Sequence, residues 1–208
     1  MGEAAEFQPI ENHGVIGDMC SIALVCDTGA IDFFCYPRFD SPTVFAALLD
    51  PDRGGFFSIQ ADLQNSHTKQ LYLPDTNVLL TRFLSDDGIA EMADFMPVLE
   101  WKKGHGKPSR IVRRLHVIQG EISFHLKCHP SFDYGRIDHA THRREHCILF
   151  QPSSDQPALT LQGTVPLTPS DSHVEQTFTL KAGESATFVL GPDCPEAHAA
   201  IDTVRIET

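Results

Sequence analysis

Residues 122–129, ISFHLKCH, alternate strictly between apolar and polar side chains. Ile122, Phe124, Leu126 and Cys128 face one way, and Ser123, His125, Lys127 and His129 face the other. A period of two belongs to an extended strand with one buried face. Residues 110–118 form another apolar run, and Gln119-Gly120 between the two predicts a hairpin. Residues 78–84 and 89–95 flank Ser85-Asp86-Asp87-Gly88, a second predicted hairpin. Residues 174–180 and 185–190 flank Lys181-Ala182-Gly183-Glu184, a third. Further candidate strands lie at 22–26, 56–60, 147–151 and 159–165. Many short strands separated by Gly, Pro and Asp turns predict an all-β chain: a large antiparallel β-sandwich (a supersandwich) with one or two short helices. The stretches 151–157 and 166–171 read as ordinary polar loops, and no repeat divides the chain. Residues 1–208 read as one domain.

The run from Asp27 to Gly55, DTGAIDFFCYPRFDSPTVFAALLDPDRGG, is the densest in local instructions. Asp27-Thr28-Gly29 is a tight turn, and residues 31–35 are short and apolar enough for a buried strand. Pro37 ends that strand, and Arg38-Phe39-Asp40 follows as a charged loop. Ser41-Pro42 then carries the chemistry of a helix start, a capping hydroxyl followed by proline at the first helical position. Residues 44–49 are therefore expected to form a short apolar helix, stopped by Asp50-Pro51 and Gly54-Gly55.

This segment resembles the opening of bacterial glycoside hydrolase family 15 enzymes, the glucoamylase-like and trehalase-like proteins. Ile16-Gly17-Asp18, Ile31 through Asp50 and Gly54-Gly55 carry the first block. A second runs from Tyr72-Leu73-Pro74-Asp75-Thr76-Asn77 through Thr81-Arg82-Phe83 to Asp94-Phe95-Met96-Pro97. Arg113-Arg114, Gly120-Glu121 and Pro130-Ser131-Phe132-Asp133-Tyr134-Gly135 form a weaker third. The resemblance implies an N-terminal β-sandwich whose catalytic partner is a C-terminal helical toroid domain, absent from this chain. It implies a parent enzyme that hydrolyses α-glucans or trehalose with inversion, through a glutamate pair in that helical domain. Gly191-Pro192-Asp193 and the acidic tail then read as a domain boundary.

Composition narrows the alternatives. A chain of 208 residues, 41% hydrophobic, can bury a real core. A net charge of −12 argues against nucleic acid, which demands clustered Lys and Arg. No apolar run is long enough to span a membrane, and MGEAAEFQPIENHG lacks the basic and apolar regions of a secretory signal. A cytoplasmic protein is expected. The six cysteines show no CxxC pair, so free and mostly buried thiols are expected.

The acidic residues form no convincing catalytic pair. Asp86 and Asp87 sit in a hairpin turn, and Glu91 and Asp94, three apart on a strand, point to opposite faces. No catalytic residue is therefore assigned, and no cofactor. Six of the 11 histidines crowd between His116 and His146. His125 and His129 lie ~13 Å apart along one strand, too far to share an ion. His142 and His146 flank no metalloprotease motif. Exposed strand and loop histidines, and no metal, are the expectation.

Two places invite a functional role. Arg38, Phe39 and Asp40 either pair locally beside the helix cap or reach a neighbouring catalytic domain and rim its sugar entrance. Trp101, the lone tryptophan, either anchors a loop or offers a sugar a stacking face. The chain thus reads first as a supporting module, engaging α-glucan or trehalose only through the catalytic domain. A free-standing carbohydrate-binding module and a protein-interaction domain are the alternatives.

Overall fold

In the computed structural model, residues 8–98 and 109–192 are described. The chain lays down β1 (His13–Gly17), β2 (Ile22–Cys26), β3 (Ala30–Cys35), β4 (Thr43–Phe45) and β5 (Phe56–Asp62) in a first sheet. It then builds β6 (His67–Tyr72), β7 (Leu79–Leu84), β8 (Ile89–Phe95) and β9 (Ile111–Gln119) in a second. β10 (Glu121–His129) returns to the first sheet, while β11 (His139–Arg143), β12 (Ile148–Pro152) and β13 (Leu159–Gly163) join the second. β14 (Val174–Lys181) closes the first sheet and β15 (Ser185–Gly191) inserts into the second. The first sheet runs β1-β2-β3-β5-β10-β14 with β4 on β3; the second runs β11-β12-β13-β15-β9-β8-β7-β6. Every pairing is antiparallel. The expected sandwich forms. Among the described residues, helical structure amounts to a 3-10 turn at Ile10–Asn12 and one short element, α1 (Phe132–Gly135), in which Asp133 and Tyr134 take left-handed φ.

The apolar faces of the two sheets meet in one core, with Phe34, Phe57, Phe124, Phe150 and Phe188 all fully buried. One ion pair runs through it. Arg113 on β9 and Asp94 on β8 are both 0% exposed, joined by Nε to Oδ1 at 2.8 Å and Nη2 to Oδ2 at 3.1 Å. The same guanidinium donates across the core to the Phe57 carbonyl at 2.7 Å and the Gly29 carbonyl at 2.8 Å, and lies over the Phe57 ring. Its donors are thus spent on both sheets. Gly29 sits at φ +88, and a side chain there would strike the Ile59 carbonyl and the Phe83 ring.

Both open sides of the sandwich are tied. The Tyr72 hydroxyl on edge strand β6 bonds the backbone of Val15 on edge strand β1, accepting from its N–H and donating to its carbonyl, both at 2.8 Å. On the opposite side His139 on edge strand β11 donates through Nε2 to the Ser172 carbonyl beside β14, at 2.9 Å.

Three local expectations need correction. Residues 44–49 do not form a helix: Thr43–Phe45 is a strand paired with β3, and a turn held by Leu49 N–H to the Ala46 carbonyl follows. All three residues of β4 are buried, and two of them are β-branched, which suits a strand. The runs 110–118 and 122–129 do not pair either. β9 bonds β8 and β15 while β10 bonds β5 and β14, so Gly120 carries the chain across the core. β14 and β15 are split between sheets in the same way. The β7–β8 hairpin forms as expected, its turn held by the Ser85 hydroxyl accepting the Asp87 and Gly88 N–H groups.

Candidate functional site

The outer face of the first sheet collects what the core does not use. β3 ends at Cys35, and a cis Tyr36–Pro37 bond leads into Arg38-Phe39-Asp40. The loop backbone is braced from three sides. Phe39 N–H donates to the Cys20 carbonyl at 2.9 Å, Tyr36 N–H to the Pro42 carbonyl at 3.3 Å, and the Ser109 hydroxyl to the Pro37 carbonyl at 3.3 Å. Ser41 caps no helix; its hydroxyl accepts the Arg38 N–H and closes the loop on itself. The side chains point outward. Arg38 and Asp40 pair at 3.2 Å with 67% and 60% of their side chains exposed, an arrangement that contributes under ~1 kcal/mol. Phe39 is 60% exposed. A rigid frame thus presents a cation, a ring and an anion to solvent. Trp101 lies outside the described residues.

Beside this loop runs an apolar row. Register places Val15 opposite Leu24 and Leu24 opposite Phe33, so three adjacent strands align these side chains. Ile22 extends the row, and exposed Met19 sits next to Cys20, the residue that anchors Phe39. The row owes its last member to a bulge. Leu24 pairs with Phe33 and Val25 with Ile31, leaving Asp32 without a partner in the ladder. An extra residue lets Asp32 and Phe33 face the same side, while Ile31 and Phe34 remain in the core.

Asp32 is the unexpected residue. His13 Nε2 meets its Oδ2 at 2.7 Å, with side-chain exposures of 1% and 9%. The other ring nitrogen, Nδ1, contacts the Pro9 carbonyl at 3.0 Å. A carbonyl only accepts, so Nδ1 carries a proton, and a second proton lies between Nε2 and Oδ2. Burial raises the Asp32 carboxyl above its ordinary range, against the opposing pull of the His13 hydrogen bond. Its Oδ1 is buried with no hydrogen-bond partner. Asp32 lines a cavity of about 320 Å³ that also takes in Thr28, Phe56, Ser58, Gln60 and Lys127. Lys127 holds its ammonium 5.9 Å from the centre of the Phe56 ring. Sequence spacing gives no hint of this pair, since His13 and Asp32 lie on β1 and β3 with β2 between them.

The crowded histidines separate into two kinds. His142 and His146 are exposed, and His125 bonds Glu175 at 2.8 Å on the outer face. His129 and His139 are half-buried, which departs from the expectation of exposed rings. His139 packs edge-on against Phe132 and Phe150, and His129 lies edge-on to His173. Burial lowers the pKa of both, and for His129 the neighbouring His173, His139 and Lys127 lower it further. Among the described residues no group of three His, Cys, Asp or Glu side chains has the geometry to hold a metal. Glu91 and Asp94 do face opposite ways, Glu91 to Arg82 at the surface and Asp94 to Arg113 inside. Among the described cysteines, Cys20, Cys26, Cys35 and Cys128 are free thiols; Cys26, Cys35 and Cys128 are buried, and Cys20 is half-buried. No helix among the described residues is long and apolar enough to cross a membrane.

The chain is similar to three curated trehalases, among others. It is 31% identical to the trehalase of Thermoplasma volcanium over 165 residues, covering 77% of this chain and 26% of that protein. Trehalase 1 of Sulfolobus acidocaldarius is 37% identical over 153 residues, 74% of this chain and 25% of the relative. The trehalase of Mycolicibacterium smegmatis is 27% identical over 145 residues, 63% of this chain and 21% of the relative. The chain therefore spans about a quarter of the length of these curated relatives. The profile of the family described as trehalase-like, N-terminal, matches residues 1–198. With its two antiparallel sheets and that match over nearly its whole length, the chain belongs to the trehalase-like N-terminal family.

Proposed function

We infer that this chain is the non-catalytic N-terminal module of a trehalase-type, family 15-like glycoside hydrolase. Its partner is a helical catalytic domain of the same protein, and α-glucan or trehalose is engaged through that domain. The observation that carries the reading is the row Val15, Leu24, Phe33 with Ile22 and Met19, apolar side chains aligned on an outer sheet face beside a braced charged loop. Such a face buries well against a second domain. Chemistry agrees. Inverting glycoside hydrolysis needs two carboxylates about 6.5–9.5 Å apart across a substrate site. The cavity beside Asp32 holds one carboxylate, and a second cavity, lined by residues 143–148 and 162–167, holds only Glu145. In this reading Arg38, Phe39 and Asp40 reach the rim of the partner's active site. The buried free thiols fit a reducing compartment, the cytoplasm.

The test is to extend the reading frame beyond Thr208 and co-express the following helical domain as a separate chain. A stable complex that hydrolyses trehalose is expected, and Leu24→Asp with Phe33→Asp should weaken it by at least about 2 kcal/mol in titration calorimetry. Arg38→Ala with Asp40→Ala should lower kcat/KM without moving the melting temperature. Absence of a helical continuation, or of any complex, overturns the reading.

A further inference from the structure

We propose that the segment between β13 and β14, residues 164–173, is an acid-released strap. It closes the open side of the sandwich while the histidines beside it are neutral, and it leaves β11 when they take up protons. The strap has few fastenings. At its start the Thr164 N–H donates to the Thr187 carbonyl on β15, and the Thr164 hydroxyl accepts the Thr187 N–H, both at 3.0 Å. At its end the Glu175 N–H donates to the Thr168 carbonyl at 3.3 Å, and Pro169 bridges Val174. Between these points Leu167, 7% exposed, enters the core as a plug. Among the described residues, one hydrogen bond fastens the strap to edge strand β11: His139 Nε2 to the Ser172 carbonyl.

That fastening is a titratable ring in a slot ill suited to a cation. His139 packs edge-on against Phe132 at 5.3 Å and Phe150 at 5.8 Å. Its Nε2 carries the proton that Ser172 accepts, so acid adds a second proton at Nδ1, which has no hydrogen-bond partner among the described residues. His129 and His173 stand nearby, ring edge to ring face at 6.0 Å. Three rings therefore gather where the strap meets both sheets, and charge on one opposes charge on the next. Compensation is sparse. Asp138, exposed ahead of β11, favours a charged His139, while Lys127 on β10 opposes charge on His129. Glu175 is shared between His125 at 2.8 Å and His173 at 3.4 Å. Asp133 and Arg136 pair with each other, β12 carries no titratable residue, and Asp171 of the strap is exposed. Burial, with the like charges around His129, holds both His129 and His139 below the ordinary pKa. Release lets water reach the rings, so protons favour the open strap as pH falls through 6.5.

Amide hydrogen exchange in the full chain, labelled with ¹⁵N, follows the strap directly. The Glu175 N–H, bonded to Thr168, is the reporter, and amides of β9 and β10 are the reference. Local opening exposes little surface, so Glu175 should exchange faster than the reference amides and ignore dilute urea, which accelerates theirs. From pH 7 to pH 5 its protection, corrected for the intrinsic exchange rate, should fall by up to about 25-fold for each ring that titrates in the open form alone. Asp138→Asn, at an exposed position, removes the charge that favours a protonated His139 in the closed form and should steepen that fall. His129→Gln with His139→Gln should flatten it. Unchanged protection at Glu175 between pH 7 and pH 5 overturns the proposal, as does exchange there with the urea dependence of β10. A fall that persists undiminished in the double variant overturns it as well. Should the double variant not fold, Asp138→Asn decides alone: a fall no steeper than that of the parent chain sinks the strap.

Discussion

Arg113 shows what one residue can do for two sheets. Its guanidinium satisfies Asp94 on β8, the Phe57 carbonyl on β5 and the Gly29 carbonyl in the β2–β3 turn, all without access to water. Removing one member of a fully buried pair leaves the other charge without compensation, at a cost of roughly 3–5 kcal/mol. Arg113→Met should therefore lower the urea stability of the chain by about that amount, whereas Arg113→Met with Asp94→Leu should recover part of it. Titration acts at the same scale. His129 and His139 have pKa values below the ordinary 6.5 because burial disfavours the charged ring. As pH falls through 6.5 the unfolded chain takes up protons that the folded chain refuses. Stability is complete above that value and declines below it. Asp32 acts in the opposite sense: its raised pKa lets the folded chain hold a proton above pH 3.8 that the unfolded chain has lost. His139→Gln preserves a donor to the Ser172 carbonyl and removes the titration. The fall in urea midpoint between pH 7 and 5 should be shallower in that variant than in the parent chain.

Three of the four strands that sequence reading missed share a position in the sheets. β1, β6 and β11 gave no strand signal, and all three are edge strands. β6, HTKQLY, is polar and largely exposed along its length, and β1, HGVIG, has two glycines, so neither shows an alternating run. Edges are kept short and polar because they are open to unwanted pairing. The two mistaken hairpins have another cause. An alternating strand requires a core on one side, and a neighbour in the same sheet or in the facing sheet meets that requirement equally. Gly120 decides between them. It sits at φ +84, and a side chain there would strike the Asp87 carbonyl in the β7–β8 turn. Gly120→Ala is thus incompatible in both space and backbone angle, and thermal unfolding should register a loss of more than about 1 kcal/mol. The outer-face loop was partly legible. The expected Arg38–Asp40 pair forms, but Ser41 serves the loop and not a helix. The Asp32–His13 pair was not legible, because a bulge and an intervening strand bring it together.

On the scale of the whole molecule, the order in which strands enter the sheets matters more than their number. The chain passes from the first sheet to the second after β5, back for β10, across for β11 to β13, and again for β14 and β15. Neither sheet is a contiguous stretch of sequence. β5 has to wait for β10, and β9 for β15, before either can complete its ladder. Pairings between segments so far apart in the chain form late and slowly, because the entropy of closing long loops precedes their reward. A ribosome feeding this chain outward cannot bank a finished first half. Most of the residues up to β14 must emerge before the first sheet can close, and until then its apolar strands depend on whatever shields nascent chains from one another.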